Sequence, residues 1–264
     1  MSGTDRSKPD LTRESEGDGA LKPAIVLVET QLGENIGASA RAMANFGLGT
    51  LRLVRPRDGW PSEKAEAASS GALTVVGGAA VFDDERAAVA DCPRVYATTA
   101  RPRELTKPVI TPERAAAEIR ELAEAGTRSA ILFGGERAGL TNDQISLADR
   151  IISVPVNPGF ASLNLAQAVL LVAYEWFKQG SDMPAEYVPT GRTGLASRDQ
   201  VYGLLDQLEA ELEEAHFFFP PEKRPHMARN IRSVLLRANM TDQEVRTWRG
   251  IVKALATGPK RKKP

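Results

Sequence analysis

The run ILFGGERAGLTNDQI, from Ile131 to Ile145, opens as an apolar strand, turns on two glycines and then sets Glu136 beside Arg137. Gly134, Gly139 and Thr141 stand at the spacing of a phosphate-binding loop, but Leu140 occupies the place of the lysine that would hold nucleotide phosphates. Two other segments share this character: ATTAR, beginning at Ala97, and NPGFASLN, from Asn157 to Asn164. All are rich in small residues that let a ligand approach the backbone. Each follows an apolar run that reads as a strand, and in an open parallel sheet ligands bind beyond the carboxyl ends of the strands. None is a Gly-x-Gly-x-x-Gly with an acidic ribose partner, so a nicotinamide site is weakly supported. Leu140 and the missing acidic metal site disfavour a nucleotide hydrolase. Taken singly, each loop reads as a tight turn.

The elements that would position these loops alternate along the chain. AIVLVET from Ala24, LRLV at Leu51–Val54, RVYATTA at Arg94–Ala100, RSAILFG and RIISVPV are short runs rich in branched residues, the mark of buried strands. NIGASARAMANFGL predicts a helix with Asn35 as its cap and Gly47 as its stop. SEKAEAASSGA, the end of AVFDDERAAVADC, and Pro112–Ala125 predict further helices, and SLNLAQAVLLVAYEWF is a helix apolar nearly all round, hence expected to be buried. Strand and helix in this alternation predict an α/β class with a parallel sheet covered on both faces.

Composition shifts at Gly180, where a Gly, Pro and Ser-rich stretch reads as a linker. Beyond it lie three helical segments, with Ser197 as cap of the first and a Thr241–Glu244 capping box before the last. The expected organisation is a disordered leader over 1–22, an α/β domain over 23–180, a linker over 181–196, a helical extension over 197–257 and a basic tail over 258–264.

The chain has 264 residues, with 34 basic and 34 acidic side chains and 42% hydrophobic residues, enough for a real core. No apolar run reaches the roughly 18 to 20 residues that span a bilayer. The first residues lack the apolar core of a secretion signal. Cys92 is the one cysteine and His216 and His226 the two histidines, so a Cys/His metal cage is not available and no metal is expected. Cys92 reads as a buried apolar filler. These features place the protein in the cytoplasm.

ENIGASARAMANFGL, ILFGGERAGLTNDQI and IISVPVNPGFASLNLAQAVLLVAYE resemble, in order and spacing, the three motifs of the SpoU branch of the SPOUT RNA 2′-O-ribose methyltransferases. The resemblance covers about residues 24–178. GERAGLT and NPGFASLN look most like the bacterial enzymes that modify cytidine or uridine 32 in the tRNA anticodon loop, and KRPHMARNIRSVLLRANMTDQEVRTWRGIV is similar to the helical extension of that group. The resemblance implies an α/β domain with a C-terminal deep trefoil knot, a homodimer, and S-adenosylmethionine as cofactor. Carried over residue by residue, it implies that the cofactor rests on Thr98, Thr99, Ala100, Gly134, Val154, Ala161, Ser162 and Leu163. It assigns Arg41, Asn35, Glu136, Ser162 and Asn164 to the chemistry.

Each assignment has a plainer alternative. Asn35 and Ser162 also fit helix caps. Arg41 also fits a surface arginine, though it sits among Gly, Ala and Ser. Asn164 opens an apolar helix in which asparagine is a poor former. Glu136 and Arg137 also fit a solvated ion pair. Free guanidinium is a poor base, its pKa above ~12, so Arg41 is better suited to fork onto the phosphate beside the target ribose. In the helical extension Lys223, Arg224, Arg229, Arg232, Arg237, Arg246 and Arg249 form a candidate RNA-binding face, with pairing to the acidic run EAELEEA as the alternative. The phenylalanines of HFFFPP are expected to staple these helices. Two competing functions remain beside tRNA methylation: ribosomal RNA as the target, or a noncatalytic RNA-binding knot protein.

Overall fold

A strand with every residue buried belongs in the middle of a sheet covered on both faces, and Ala24–Val28 (β1) is such a strand. The computed structural model describes residues 10–12, 21–100, 105–183 and 193–258. It divides into two compact units, Met1–Asp182 and Met183–Pro264.

In the first unit β1 is followed by α1 (Gly33–Asn45), β2 (Leu51–Val54), α2 (Glu63–Ala68), α3 (Leu73–Gly77), β3 (Ala80–Phe82) and α4 (Glu85–Val89). Then come β4 (Arg94–Thr98), β5 (Val109–Ile110), α5 (Pro112–Glu124), β6 (Ser129–Phe133), α6 (Asn142–Ser146), β7 (Arg150–Ile152) and α7 (Leu165–Gln179). The seven strands pair in the order β3-β2-β1-β6-β4-β7-β5, every pair parallel. Because β6, β4 and β7 are neighbours, the loops leaving their carboxyl ends lie side by side.

Alternation along the strands sorts the core into two layers. Ile25, Leu27, Leu53, Tyr96, Ile131 and Phe133 pack with residues of α1, α5 and α7, among them Ile36, Met43, Ile119, Val169 and Trp176. Val26, Val28, Val54, Ala97, Ala130 and Leu132 face Ala88, Cys92, Leu140 and Ile145 on the other side. Sequence periodicity does not anticipate α3, α6 or β5. Each is five residues or fewer, too short for a period to register.

Two expectations need correction. Helix α7 is not buried all round: Leu170, Leu171 and Tyr174 are 38%, 36% and 47% exposed, because the sheet, α1 and α5 cover only one side of it. The leader is not wholly unstructured either. Thr12 is buried, and a Cβ built on Gly49 would come within 2.0 Å of the Thr12 carbonyl oxygen. The remaining leader residues 1–9 and 13–20, linker residues 184–192 and tail residues 259–264 lie outside the described residues.

The carboxyl end of α7 is closed by a side chain. Arg120 donates from Nε and Nη2 to the Trp176 carbonyl at 3.3 and 2.9 Å and stacks over the Trp176 ring at 3.6 Å. A cation satisfies a helix's last carbonyls and complements its dipole. Burial lowers the Arg120 pKa from its ordinary value.

The second unit comprises α8 (Arg198–Glu214), a 3-10 turn (Pro221–Lys223), α9 (Arg224–Arg237) and α10 (Asp242–Thr257). Both expected caps form: Ser197 accepts from Gln200 N, and Thr241 and Glu244 close a capping box. Its core gathers Val201, Leu204, Leu205, Met240, Val245 and Val252. Of the three phenylalanines only Phe218 is buried, whereas Phe217 and Phe219 are 48% and 79% exposed. In a non-helical segment successive side chains diverge, so one inward ring turns its neighbours outward.

Candidate active site

The loops after β4, β6 and β7 enclose a cavity of about 240 Å³. Thr98, Thr99 and Ala100 border it from the first loop, Gly134 from the second, and Val154, Ala161, Ser162 and Leu163 from the third. All the residues expected to hold a cofactor therefore face one space. Phe133, Ile152 and Leu165 add apolar wall, and among the described residues Glu136 and Arg137 are the charged ones of the lining.

The central loop folds back on itself. Gly139 N donates to the Gly135 carbonyl at 2.9 Å. A Cβ on Gly134 would lie 2.2 Å from backbone atoms of Gly139 and Leu140, so only glycine fits there. Leu140 is buried in the second core layer and anchors the loop, which explains its presence at the lysine position. Thr141 is the N-cap of α6 in a capping box with Gln144. Gln144 reaches Glu85 at 2.8 Å, and Arg55 donates to the same carboxylate at 2.5 Å. Burial works against the charged form of Glu85, but the hydrogen bonds from Arg55, the backbone and Gln144 hold its pKa below the usual value. That cluster ties the loop's exit to α4 and the end of β2.

Beside the cavity runs a polar chain. Glu136 accepts from Gln31 N at 2.8 Å, from Leu32 N at 3.3 Å and from Asn35 Nδ2 at 2.6 Å. Asn164 Nδ2 in turn donates to Asn35 Oδ1 at 3.0 Å. Asn164 Oδ1 accepts from Ala166 N at 2.9 Å and Gln167 N at 3.4 Å, capping α7. The chain Glu136–Asn35–Asn164 thus links the β6 loop, the start of α1 and the start of α7.

Several sequence readings change here. Asn35 is not the cap of α1. It lies in the helix's first turn, and the N-cap position is Leu32, whose side chain cannot cap. Glu136 supplies the missing acceptor instead, from a distant loop, at the end of the helix where negative charge is favoured. Ser162 is not a cap either, since Asn164 takes that role. Glu136 makes no ion pair with Arg137 among the described residues; its oxygens are engaged by Gln31 N and Leu32 N just before α1 and by Asn35 in its first turn. Arg41 is exposed and donates to Ser70 Oγ at 3.1 Å, and it does not border the cavity of its own chain. The one signal of the Glu136 role that a sequence could offer is negative: α1 begins without a capping residue at Leu32.

Comparison with known proteins follows this geometry. Residues 22–174 match the SpoU rRNA Methylase family. The chain belongs to that family. This SpoU methylase is 49% identical to TrmJ from Z. mobilis ZM4, whose crystal structure superposes with a TM-score of 0.76 over 89% of this chain and 99% of that one. It is 35% identical over 236 residues to the tRNA (cytidine/uridine/adenosine-2′-O-)-methyltransferase TrmJ of Pseudomonas aeruginosa (strain UCBPP-PA14), covering 86% of this chain and 91% of the relative. It also shares its fold with the SpoU methyltransferase AviRb from Streptomyces viridochromogenes, solved in complex with the cofactor AdoMet, at 19% identity and a TM-score of 0.50 over 67% of this chain and 63% of that one.

The second unit of this SpoU methylase divides its cations into two sets. Arg232 forks onto the buried Glu209 carboxylate at 2.6 and 2.9 Å, and Arg224 pairs with Glu213 at 2.6 Å and lies over the Phe218 ring. Arg246 pairs with Asp242 one turn away, and Arg249 bonds to Gln207 at 3.1 Å. Pairing with the acidic run of α8 is therefore the correct reading for Arg224 and Arg232. Arg229 and Arg232 lie three apart on α9, but Arg232 is paired with Glu209 of α8. Lys223, Arg229 and Arg237 are exposed and have no anionic partner among the described residues. Cys92 is buried as expected, and burial pushes its thiol up to about 11. His216 and His226 lie in the second unit.

Proposed function

We propose that this protein uses S-adenosylmethionine to methylate a ribose 2′-hydroxyl of tRNA, at cytidine or uridine 32 of the anticodon loop. The observation that carries this reading is the convergence of Thr98, Thr99, Ala100, Gly134, Val154, Ala161, Ser162 and Leu163 on one cavity without a lysine. The residues present fit the cofactor. Phe133, Ile152 and Leu165 suit the flat face of a nucleoside, and small residues leave main-chain donors and acceptors for its polar edge. When bound, S-adenosylmethionine supplies a methyl group activated by a positively charged sulfur.

The chain's own residues then do the positioning. Glu136, Asn35 and Asn164 fix α1 against α7 beside the cavity; Glu136, with both oxygens spent, organises rather than accepts a proton. Arg41 holds the phosphate next to the target ribose by a charge-assisted fork. Ser162 presents its hydroxyl at the cavity wall. Positioning of this kind supplies about 7–11 kcal/mol of barrier reduction in favourable cases. The knot is formed by the chain from β6 to α7, and a second copy covers the exposed Leu170, Leu171 and Tyr174 face of α7. The second unit provides phosphate contacts through Lys223, Arg229 and Arg237. The protein works in the cytoplasm, where tRNA is found; among its described helices none is long and apolar enough to cross a membrane.

The near full-length match to tRNA-modifying relatives, second unit included, favours tRNA over ribosomal RNA. The test is to incubate the purified protein with methyl-labelled cofactor and either tRNA or ribosomal RNA, then map 2′-O-methyl groups. Label at position 32 of tRNA is expected. Label confined to ribosomal RNA selects the second target, and RNA binding without label selects the noncatalytic reading.

A further inference from the structure

The geometry points to Arg137 as an RNA-binding residue that takes a phosphate of the substrate at the mouth of the cavity; this rests on the proposed function. Glu136 and Arg137 are adjacent in sequence but turn to different tasks. Glu136 spends both carboxylate oxygens on Gln31 N, Leu32 N and Asn35. Arg137 has no hydrogen bond or ion pair among the described residues, and among those residues it is the one cation of a lining whose other charged member, Glu136, is turned to α1 and which is otherwise built of apolar, small and hydroxyl residues. An exposed guanidinium with no carboxylate partner among the described residues is not explained by an ion pair of the fold. It is available for an anion that arrives from outside.

The position is also held firmly. Gly139 N bonds the Gly135 carbonyl at 2.9 Å, so Glu136, Arg137 and Ala138 span a closed turn. Buried Leu140 anchors one end of that turn and Phe133 the other. The backbone of Arg137 is therefore fixed while its side chain is free, the arrangement that lets a planar fork meet a phosphate with little further ordering. Two anions could reach it: a phosphodiester of the RNA and the carboxylate of the cofactor. Arg137, Ala138 and Gly139 are all exposed, on the solvent side where a macromolecule must arrive, and this favours the phosphodiester. Arg137 is a positioning residue for the substrate, and it supplies no proton.

The test uses the full-length protein with Arg137→Ala and Arg137→Lys. S-adenosylhomocysteine affinity is measured by calorimetry, tRNA affinity by anisotropy across a salt series, and methylation by kcat and KM. Arg137→Ala is expected to leave S-adenosylhomocysteine affinity within about twofold and to weaken tRNA binding about tenfold, the loss of one charge-assisted contact. The slope of log affinity against log salt should shrink by about one. Arg137→Lys should restore most of the salt slope and less of the affinity. A fall in S-adenosylhomocysteine affinity with tRNA binding intact assigns Arg137 to the cofactor carboxylate and overturns the proposal, as does no change in either. Failure of the underlying reading looks different: the wild-type protein would bind no S-adenosylhomocysteine at all, while its tRNA salt slope would still decide the role of Arg137.

Discussion

Asn35 and Glu136 are separated by 101 residues, and their side chains meet at 2.6 Å. That contact joins the start of α1 to the glycine loop that borders the cavity. In Glu136→Gln, one of the two acceptor oxygens becomes a donor that faces backbone N–H groups or the Asn35 amide. The expected cost is about 1 kcal/mol of stability from unsatisfied, partly buried groups. Displacing the β6 loop should also slow methylation by about 10²-fold. Thermal unfolding and single-turnover methylation measure the two effects. An unchanged turnover rate with a lowered Tm would mean that the contact serves folding alone.

Arg41 borders no part of its own chain's cavity and donates to Ser70. Arg41→Ala should therefore leave S-adenosylhomocysteine affinity within about twofold, since no cofactor contact is removed. Methyl transfer should fall by about 10²- to 10³-fold, the range for losing an oriented charged donor. Loss of cofactor affinity in a normally folded variant would contradict the phosphate-holding role.

Gly134 and Gly77 give opposite forecasts for the same substitution. A Cβ at Gly134 would sit 2.2 Å from backbone atoms that cannot move independently. Gly134→Ala should destabilise the protein by about 3 kcal/mol, as overpacking does. At Gly77, the last residue of α3, nothing lies within 4 Å of a new Cβ, and Gly77→Ala should be neutral or stabilise by up to about 1 kcal/mol. Denaturant unfolding separates them; equal stabilities would show that the β6 loop can open at no cost.

The Arg52–Asp91 pair makes a pH-dependent contribution. Arg52 is buried and donates to Asp91 through Nη1 and Nη2, at 2.5 and 2.8 Å, and its hydrogen bonds hold the Asp91 carboxyl well below the usual carboxylate range. A depressed folded pKa gives stability that is fully present above the unfolded value of about 3.9 and is lost as pH falls through the folded one. Asp91→Asn should therefore be less stable than wild type at neutral pH. The gap should narrow steadily as pH drops below about 4. A gap that stays constant down to the most acidic condition would show that packing, not ionisation, carries the contribution.

Much of the fold can be read from local pattern. The runs AIVLV, LRLV and SAILF are short, branched and uninterrupted, and each is a strand buried on both faces. Ser197 and the Thr241–Glu244 box start α8 and α10 where the sequence places them, because a cap and its target lie within three residues. The loops ATTAR, GGERAGL and NPGFASLN stand out in the sequence by their small residues and their position after strands, and residues of all three border one cavity. What periodicity could not supply were elements shorter than a period, namely α3, β5 and α6.

The sequence by itself determined the longer strands and helices and the small-residue loops that follow β4, β6 and β7, since those choices are made by interactions spanning a few residues. Tertiary structure alone decided which polar groups meet. It takes Asn35 out of the capping role and gives it to Glu136 and Asn164, turns Arg41 to Ser70, and spends Arg224 and Arg232 on Glu213 and Glu209. It leaves Arg137 without a hydrogen-bond or ion-pair partner among the described residues. A side chain with two or three possible partners chooses by distance, and distance across such gaps is set by strand order and helix packing, which no local period encodes.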